Sequence, residues 1–153
     1  MINTQALRII ACPNCKNTLN SSSEGLFCNK CNKIYPVKSG IVDFLTQDNL
    51  QGAKLANAEY HDKESNFYDR IHLHVSRENK LFRRIVRDRI NISGGKVLDI
   101  GSGTGFVLDN FTGKNQFFCI DISFNMLRRI AEKHDQEIIW ALRADAESLP
   151  ISD

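Results

Sequence analysis

The stretch Val97-Leu98-Asp99-Ile100-Gly101-Ser102-Gly103-Thr104-Gly105 sets a short apolar run directly before three alternating glycines. An apolar run of this length, bounded by a turn signal, reads as a buried strand. Glycines at its end let the backbone pass close to a ligand where a Cβ would block it. Downstream, Phe117-Phe118-Cys119-Ile120 and Ile138-Ile139-Trp140-Ala141-Leu142 are two more apolar runs. Between them, Asn125 to Lys133 puts Met126, Leu127, Ile130 and Ala131 on one side of a helix, and a further short helix is expected after the glycine turn. Strands alternating with helices predict an α/β unit with a parallel sheet and right-handed crossovers. Cys119 and Trp140 lie inside these runs and read as core.

Upstream, the character of the chain changes twice. Leu81, Phe82, Ile85, Val86 and Ile90 recur at helical spacing between Ser76, a candidate N-cap, and Gly94-Gly95, predicting an amphipathic helix over about 77–91. Its basic side, Arg77, Lys80, Arg83, Arg84 and Arg87, reads first as a solvated face and second as a contact for RNA phosphates. Residues 47–75 are polar and acidic, with Tyr60, Phe67 and Tyr68 and the histidines His61, His72 and His74. Helices are expected there, and the histidines, which lack metal spacing as a set, are read as surface or packing residues. Residues 35–45 mix β-branched and aromatic residues around a glycine turn and predict short strands. The expected organisation is a small module over 1–46, a helical connector over 47–92 and the α/β unit over 93–153.

With 153 residues, 42% of them hydrophobic, the chain has enough apolar material for a core, which excludes disordered and fibrous classes. No apolar run approaches the roughly 18 residues of a spanning helix, and the first eleven residues lack a signal-peptide pattern, so a cytoplasmic location is expected. The net charge of +2 is unevenly distributed: +3 over 1–46, −3 over 47–69, +5 over 70–90 and −3 over 91–153.

Five cysteines suit a secreted disulfide framework poorly, because one is left over and the other four form two close pairs. Cys12-Pro13-Asn14-Cys15 and Cys28-Asn29-Lys30-Cys31 are two knuckles separated by twelve residues. At that spacing, two turns can bring four thiolates onto one tetrahedral zinc ion. A module of some forty residues needs such a metal, because its own core is small. Two disulfides, or a thioredoxin-type redox pair, are the competing readings.

The knuckles, followed by Tyr35-Pro36-Val37, Gly40-Ile41 and Phe44-Leu45, resemble the small zinc-ribbon family whose free-standing members activate tRNA methyltransferases. The resemblance covers about residues 8–46 and implies a structural zinc site and partner docking.

The glycine turn departs from the dinucleotide fingerprint, which needs a glycine or alanine at Phe106 and has no acid two residues before its first glycine. Asp99-x-Gly101-x-Gly103-x-Gly105 instead resembles the first motif of class I S-adenosylmethionine-dependent methyltransferases. Asp121, followed by Ile122-Ser123 and Met126-Leu127, is similar to that family's second element, and Asp145-Ala146-Glu147 with Leu149-Pro150 to its third. The resemblance covers about residues 93–153. It implies the first half of a Rossmann-like sheet in the order 3-2-1, cut after its third strand, with the first strand as an exposed edge that a homodimer or a partner protein would cover.

For the cofactor S-adenosylmethionine, the resemblance implies ribose hydroxyls on Asp121 and the amino-acid end against Gly101, Ser102, Gly103, Thr104 and Gly105, with Asp99 near its ammonium. It further implies adenine between Ile122 and Met126, with its amine on Asp145 and the backbone N–H of Ala146. The implied activity is methyl transfer to a small molecule or an RNA, with the catalytic base unassigned. Chains pairing a ribbon with such a domain include rRNA guanine methyltransferases, but those tend to have a histidine in the second knuckle where this chain has Cys31. The alternative is a non-catalytic binding or activator protein that keeps part of the cofactor site.

Overall fold

The computed structural model describes residues 6–45, 50–68, 70, 80–81, 83–85, 88, 94–111, 114–135 and 138–152. Seven strands form one sheet: β1 (Asn20–Ser21), β2 (Gly25–Cys28), β3 (Lys33–Lys38), β4 (Ile41–Asp43), β5 (Lys96–Ile100), β6 (Gln116–Asp121) and β7 (Ile139–Arg143). Their order across the sheet is β1-β2-β3-β4-β7-β6-β5. The expected third-second-first order of the α/β strands therefore stands, with β5 at the edge. Both junctions among these three strands are parallel, in registers such as Val97 opposite Phe117 and Phe117 opposite Ile139.

The ribbon does not stand apart as a separate sheet. Its last strand, β4, pairs in parallel with β7, with Ile41 opposite Ala141 and Asp43 opposite Arg143. The Asp43 carboxylate accepts from Arg143 Nη1 at 3.2 Å, both side chains being largely buried, and Phe44 N–H donates to the Arg143 carbonyl at 2.8 Å. Further contacts join the N-terminal segment and first knuckle to the segment after β7. Ala11 N–H donates to the Pro150 carbonyl and Ser152 N–H to the Ile9 carbonyl, while Lys16 Nζ reaches the Leu149 carbonyl at 2.6 Å.

Strand alternation divides the core between the two sheet faces. Phe118, Ile120, Trp140, Leu142 and Val42 pack with Ile10, Leu26, Tyr35 and Phe44 of the ribbon. Phe117, Cys119, Ile139, Ala141 and Ile41 face the other way, against Leu127 and Ile130 of α2 (Phe124–Lys133). That helix forms where the sequence predicts it. Ser123 caps it, accepting from Met126 N–H at 3.1 Å, a contact worth about 1 kcal/mol. Its buried Met126, Leu127 and Ile130 contribute roughly 1.5–3 kcal/mol each. Cys119 is fully buried and Trp140 lies in the core, as their settings in the sequence imply.

Other expectations are corrected. The helix expected after the glycine turn is only a 3-10 turn, Leu108–Asn110. A helix, α1 (Gly52–Glu64), does form in the acidic connector, but Ala58 is its one buried residue, so polar contacts rather than an apolar stripe hold it in place. The expected helix over 77–91 lies largely outside the described residues. Residues 80–81, 83–85 and 88 are helical, and Leu81 (60% exposed) and Ile85 (43%), placed by the periodicity on an apolar face, are open to solvent. Arg83 sits over the Phe106 ring, 5.3 Å from its centroid, and Arg84 pairs with Asp88 at 3.6 Å. His72 and His74 lie outside the described residues. No helix among the described residues is long and apolar enough to cross a membrane.

Candidate functional site

At the ribbon end, two tight turns bring four cysteines together. Each knuckle closes on a residue in the left-handed region, Lys16 (φ 58°) after the first and Asn32 (φ 51°) after the second. Lys16 N–H donates to the Cys12 carbonyl at 2.8 Å, and Cys31 N–H points at Cys28 Sγ at 3.4 Å. All four sulfurs lie within 4.8 Å of one another, with Cys12···Cys31 at 3.8 Å and Cys15···Cys28 at 3.6 Å. A tetrahedral zinc ion with Zn–S bonds of about 2.3 Å needs sulfurs about 3.8 Å apart. The residues fit zinc on both donor type and spacing, and all five thiols are free, which removes the disulfide reading.

The thiols also differ electrostatically. Burial raises Cys12, but hydrogen bonding with the Tyr35 hydroxyl, at 3.2 Å, and the backbone N–H groups of Cys15 and Asn14 outweigh it and bring the thiol down to about 6. Cys31 is pushed up to about 12 by its contact with Cys15 and by burial. Four crowded sulfurs cannot all ionise without a cation among them. At the start of β2, the backbones of β2 and β3 approach so closely that a Cβ on Gly25 (φ 145°) would lie 2.1 Å from the Tyr35 carbonyl oxygen. Only glycine fits there.

The second site lies at the C-terminal ends of β5, β6 and β7, where an open parallel sheet places its ligand crevice. A cavity of about 480 Å³ opens there between three loops of the sheet and α1. Asp121, at the end of β6, is held on both carboxylate oxygens: Gly103 N–H donates to Oδ2 at 2.9 Å and Ser123 N–H to Oδ1 at 2.8 Å. Gly103 makes its contact at φ 53°, a conformation that suits glycine, and a Cβ there would point toward Tyr68. Asp99, half-buried on β5, keeps its Oδ2 out of water with no hydrogen-bond partner among the described residues. Burial, and then the Asp121 carboxylate, push its pKa up. An orphaned carboxylate oxygen beside a second acid calls for a cation.

On the third loop, Asp145 receives Glu147 N–H on Oδ1 at 3.0 Å and Lys54 Nζ on Oδ2. Burial raises its pKa, but the Lys54 ammonium and the Glu147 N–H outweigh it, leaving a net shift downward. Lys54 also pairs with Glu147 at 2.7 Å.

The cavity collects Gly101, Gly103, Asp121, Ile122, Met126, Asp145 and Ala146 from the residues singled out in the sequence. Ser102 and Thr104 turn inward and are buried, the Ser102 hydroxyl donating to the Ile120 carbonyl at 3.4 Å. Asp99 and Gly105 are not among the residues that line the cavity. Sequence reasoning missed the outer wall, Lys54, Asn57 and His61 on α1 together with Tyr68. His61, expected as a surface or packing residue, is half-exposed and lines the cavity. The available signal was the spacing 54, 57 and 61, which puts three polar side chains on one helical face.

Residues 97–153 match the family model of a methyltransferase domain, and residues 6–40 match that of the Trm112p-like proteins. No curated protein matches the chain. The parallel strands thus lie in a segment similar to a methyltransferase domain, and ahead of it stands a segment similar to the Trm112p-like proteins whose four cysteines fit zinc.

Proposed function

We propose that this chain binds S-adenosylmethionine in the cavity at the ends of β5, β6 and β7 and serves methyl transfer from it, with a structural zinc ion in the ribbon. The observation that carries the reading is Asp121 on the cavity wall, fixed by two backbone N–H groups, with a second carboxylate, Asp99 on β5, keeping a buried, orphaned oxygen outside the cavity lining. Asp121, with both oxygens already oriented, accepts from the ribose hydroxyls through its remaining lone pairs. Asp99 favours the ammonium of the amino-acid end. Met126 and Ile122 flank the adenine, and Asp145 with Ala146 N–H meets its edge. The sulfonium supplies an activated methyl group, and the protein's part is to hold donor and acceptor in line while excluding water. Cys12, Cys15, Cys28 and Cys31 hold the zinc. Acceptors of two classes, a small molecule and an RNA, fit this reading.

A second reading, a non-catalytic activator that keeps the cofactor pocket, draws support from the Trm112p-like segment and from the pairing of β4 with β7. Native mass spectrometry of the chain with and without S-adenosylhomocysteine tests the binding step. The expected spectrum shows one zinc and one nucleoside per chain, and zinc with no nucleoside at millimolar ligand would sink the cofactor assignment. Transfer of a labelled methyl group to RNA or small-molecule pools then separates enzyme from activator.

A further inference from the structure

The polar helix α1 buries almost nothing, yet it ends in a set of contacts that reach the ribose-side loop. Asp62, in its last turn, accepts on Oδ1 from the Ser123 hydroxyl and from Asn125 N–H, the latter at 2.9 Å, and its backbone carbonyl accepts from Asn125 Nδ2 at 3.4 Å. Ser123 is committed in three directions. Its hydroxyl donates to Asp62 and accepts from Met126 N–H, while its own N–H donates to Asp121. A carboxylate 61 residues away in the chain thus supplements the cap of α2, where a negative charge also meets the positive end of the helix dipole.

We propose that Asp62 is a positioning residue for the nucleoside site, acting through Ser123 to fix the Asp121 carboxylate and seating α1 as the outer wall of the pocket. This rests on the nucleoside reading given above. With Asp62 in place, the Ser123 hydroxyl has one satisfied orientation, and the 121–123 turn that aims Asp121 is held from both sides. Without it, Ser123 turns toward solvent, the first turn of α2 loses its outer acceptor, and Asp121 keeps its two N–H partners on a looser loop. Asn57 and His61 lie on the same helix, within two turns of Asp62, so the contact that aligns Asp121 also sets where these side chains meet the ligand.

The test compares S-adenosylhomocysteine with its 2′-deoxy analogue by isothermal titration, on the full chain and on Asp62→Ala and Asp62→Asn. The unsubstituted chain should prefer the ribose form, because Asp121 reads its hydroxyls. Asp62→Ala should weaken binding of the ribose form by roughly tenfold and shrink the preference toward one. Asp62→Asn, which keeps an acceptor oxygen for both donors, should retain most of the preference; Ser123→Ala, which removes the hydroxyl through which Asp62 acts, should shrink it as Asp62→Ala does, and an unchanged ratio there overturns the proposal if the alanine chain at 62 does not fold. Equal losses for the two ligands would make Asp62 merely structural and overturn the proposal, as would an unchanged ratio in both variants. If the unsubstituted chain binds neither ligand, the nucleoside reading itself falls and the proposal falls with it. If it binds both equally, Asp121 does not read the ribose, and the proposal alone is overturned.

Discussion

The two candidate sites of this chain are built in opposite ways. The metal site draws its four ligands from residues 12 to 31, two turns on neighbouring hairpin segments, and its geometry is fixed by local backbone contacts within each knuckle. The cavity proposed to take a nucleoside draws Lys54, Gly103, Asp121 and Asp145 from segments spread over more than ninety residues, and the sheet and α1 bring them together. The first needs an ion to hold it, the second needs the fold. The junction of β4 with β7 joins them mechanically, because β7 carries the Asp145 loop on one end and the ribbon along one side.

That junction makes metal removal the largest expected effect. Structural zinc contributes on the order of 10 kcal/mol to the folding of small modules. If the ribbon and the parallel strands share one cooperative sheet, stripping zinc with a strong chelator should lower the unfolding of the whole chain as a single calorimetric transition. Two transitions, the later one unmoved, would show that the continuous sheet carries no energetic coupling, and the contrast between the sites would become a boundary between independent units.

Within the pocket, Asp121→Ala should have the next largest effect, since it removes the proposed ribose acceptor and the partner of two backbone donors. A loss of about a hundredfold in S-adenosylhomocysteine affinity by isothermal titration is expected. Asp99→Asn should act oppositely on stability. Burial and the Asp121 charge raise the pKa of Asp99, so its ionised form costs stability at neutral pH. The cost is fully present above the raised folded-state pKa and vanishes as the pH falls through it and then below the ordinary carboxylate value. The variant should therefore be more stable at pH 7, seen as a rise in the thermal midpoint. The difference should disappear in acid, and ligand binding should weaken. A variant less stable at pH 7 would mean that Asp99 has a cationic partner outside the described residues.

The same contrast explains what could be read from the sequence. Cys12, Cys15, Cys28 and Cys31 were legible because a metal demands one residue type at one spacing. The strands at 97–100, 117–120 and 139–142 and the helix starting near Asn125 were legible because apolar runs and helical periodicity report burial directly. The sharing of one sheet by ribbon and parallel strands was not. Ile41 and Val42 carry no mark of whether a neighbouring strand lies on their far side, since pairing there is between backbones. Nor was α1 legible as a pocket wall. Its contacts through Lys54 and Asp62 are polar and long-range, Asn57 and His61 only line the cavity, and beyond a shared helical face such residues look the same in sequence whether they face a ligand or water. Leu81 and Ile85 show the reverse failure, an apolar period whose described members lie exposed.

Lys54 offers the smallest effect and the sharpest question about that wall. Its ammonium occupies Asp145 and Glu147 across the adenine-side loop, and it is 40% exposed, so solvent screens the pair and its contribution to stability is minor. What it does contribute has a defined sign. The pKa of Asp145 is depressed, so the stabilisation is present above the ordinary carboxylate range and is lost as the pH falls through the lowered value. Lys54→Met should therefore melt slightly lower at pH 7, with the gap closing in acid. On the proposed reading its effect on binding should run the other way, because the substitution frees a carboxylate oxygen of Asp145 for the adenine amine and removes a positive charge from the cavity proposed for a cationic ligand. S-adenosylmethionine should then bind a few-fold tighter, with a smaller gain for neutral S-adenosylhomocysteine. Weaker binding of both would instead make Lys54 a direct ligand contact, and α1 would then belong to the pocket chemically as well as sterically.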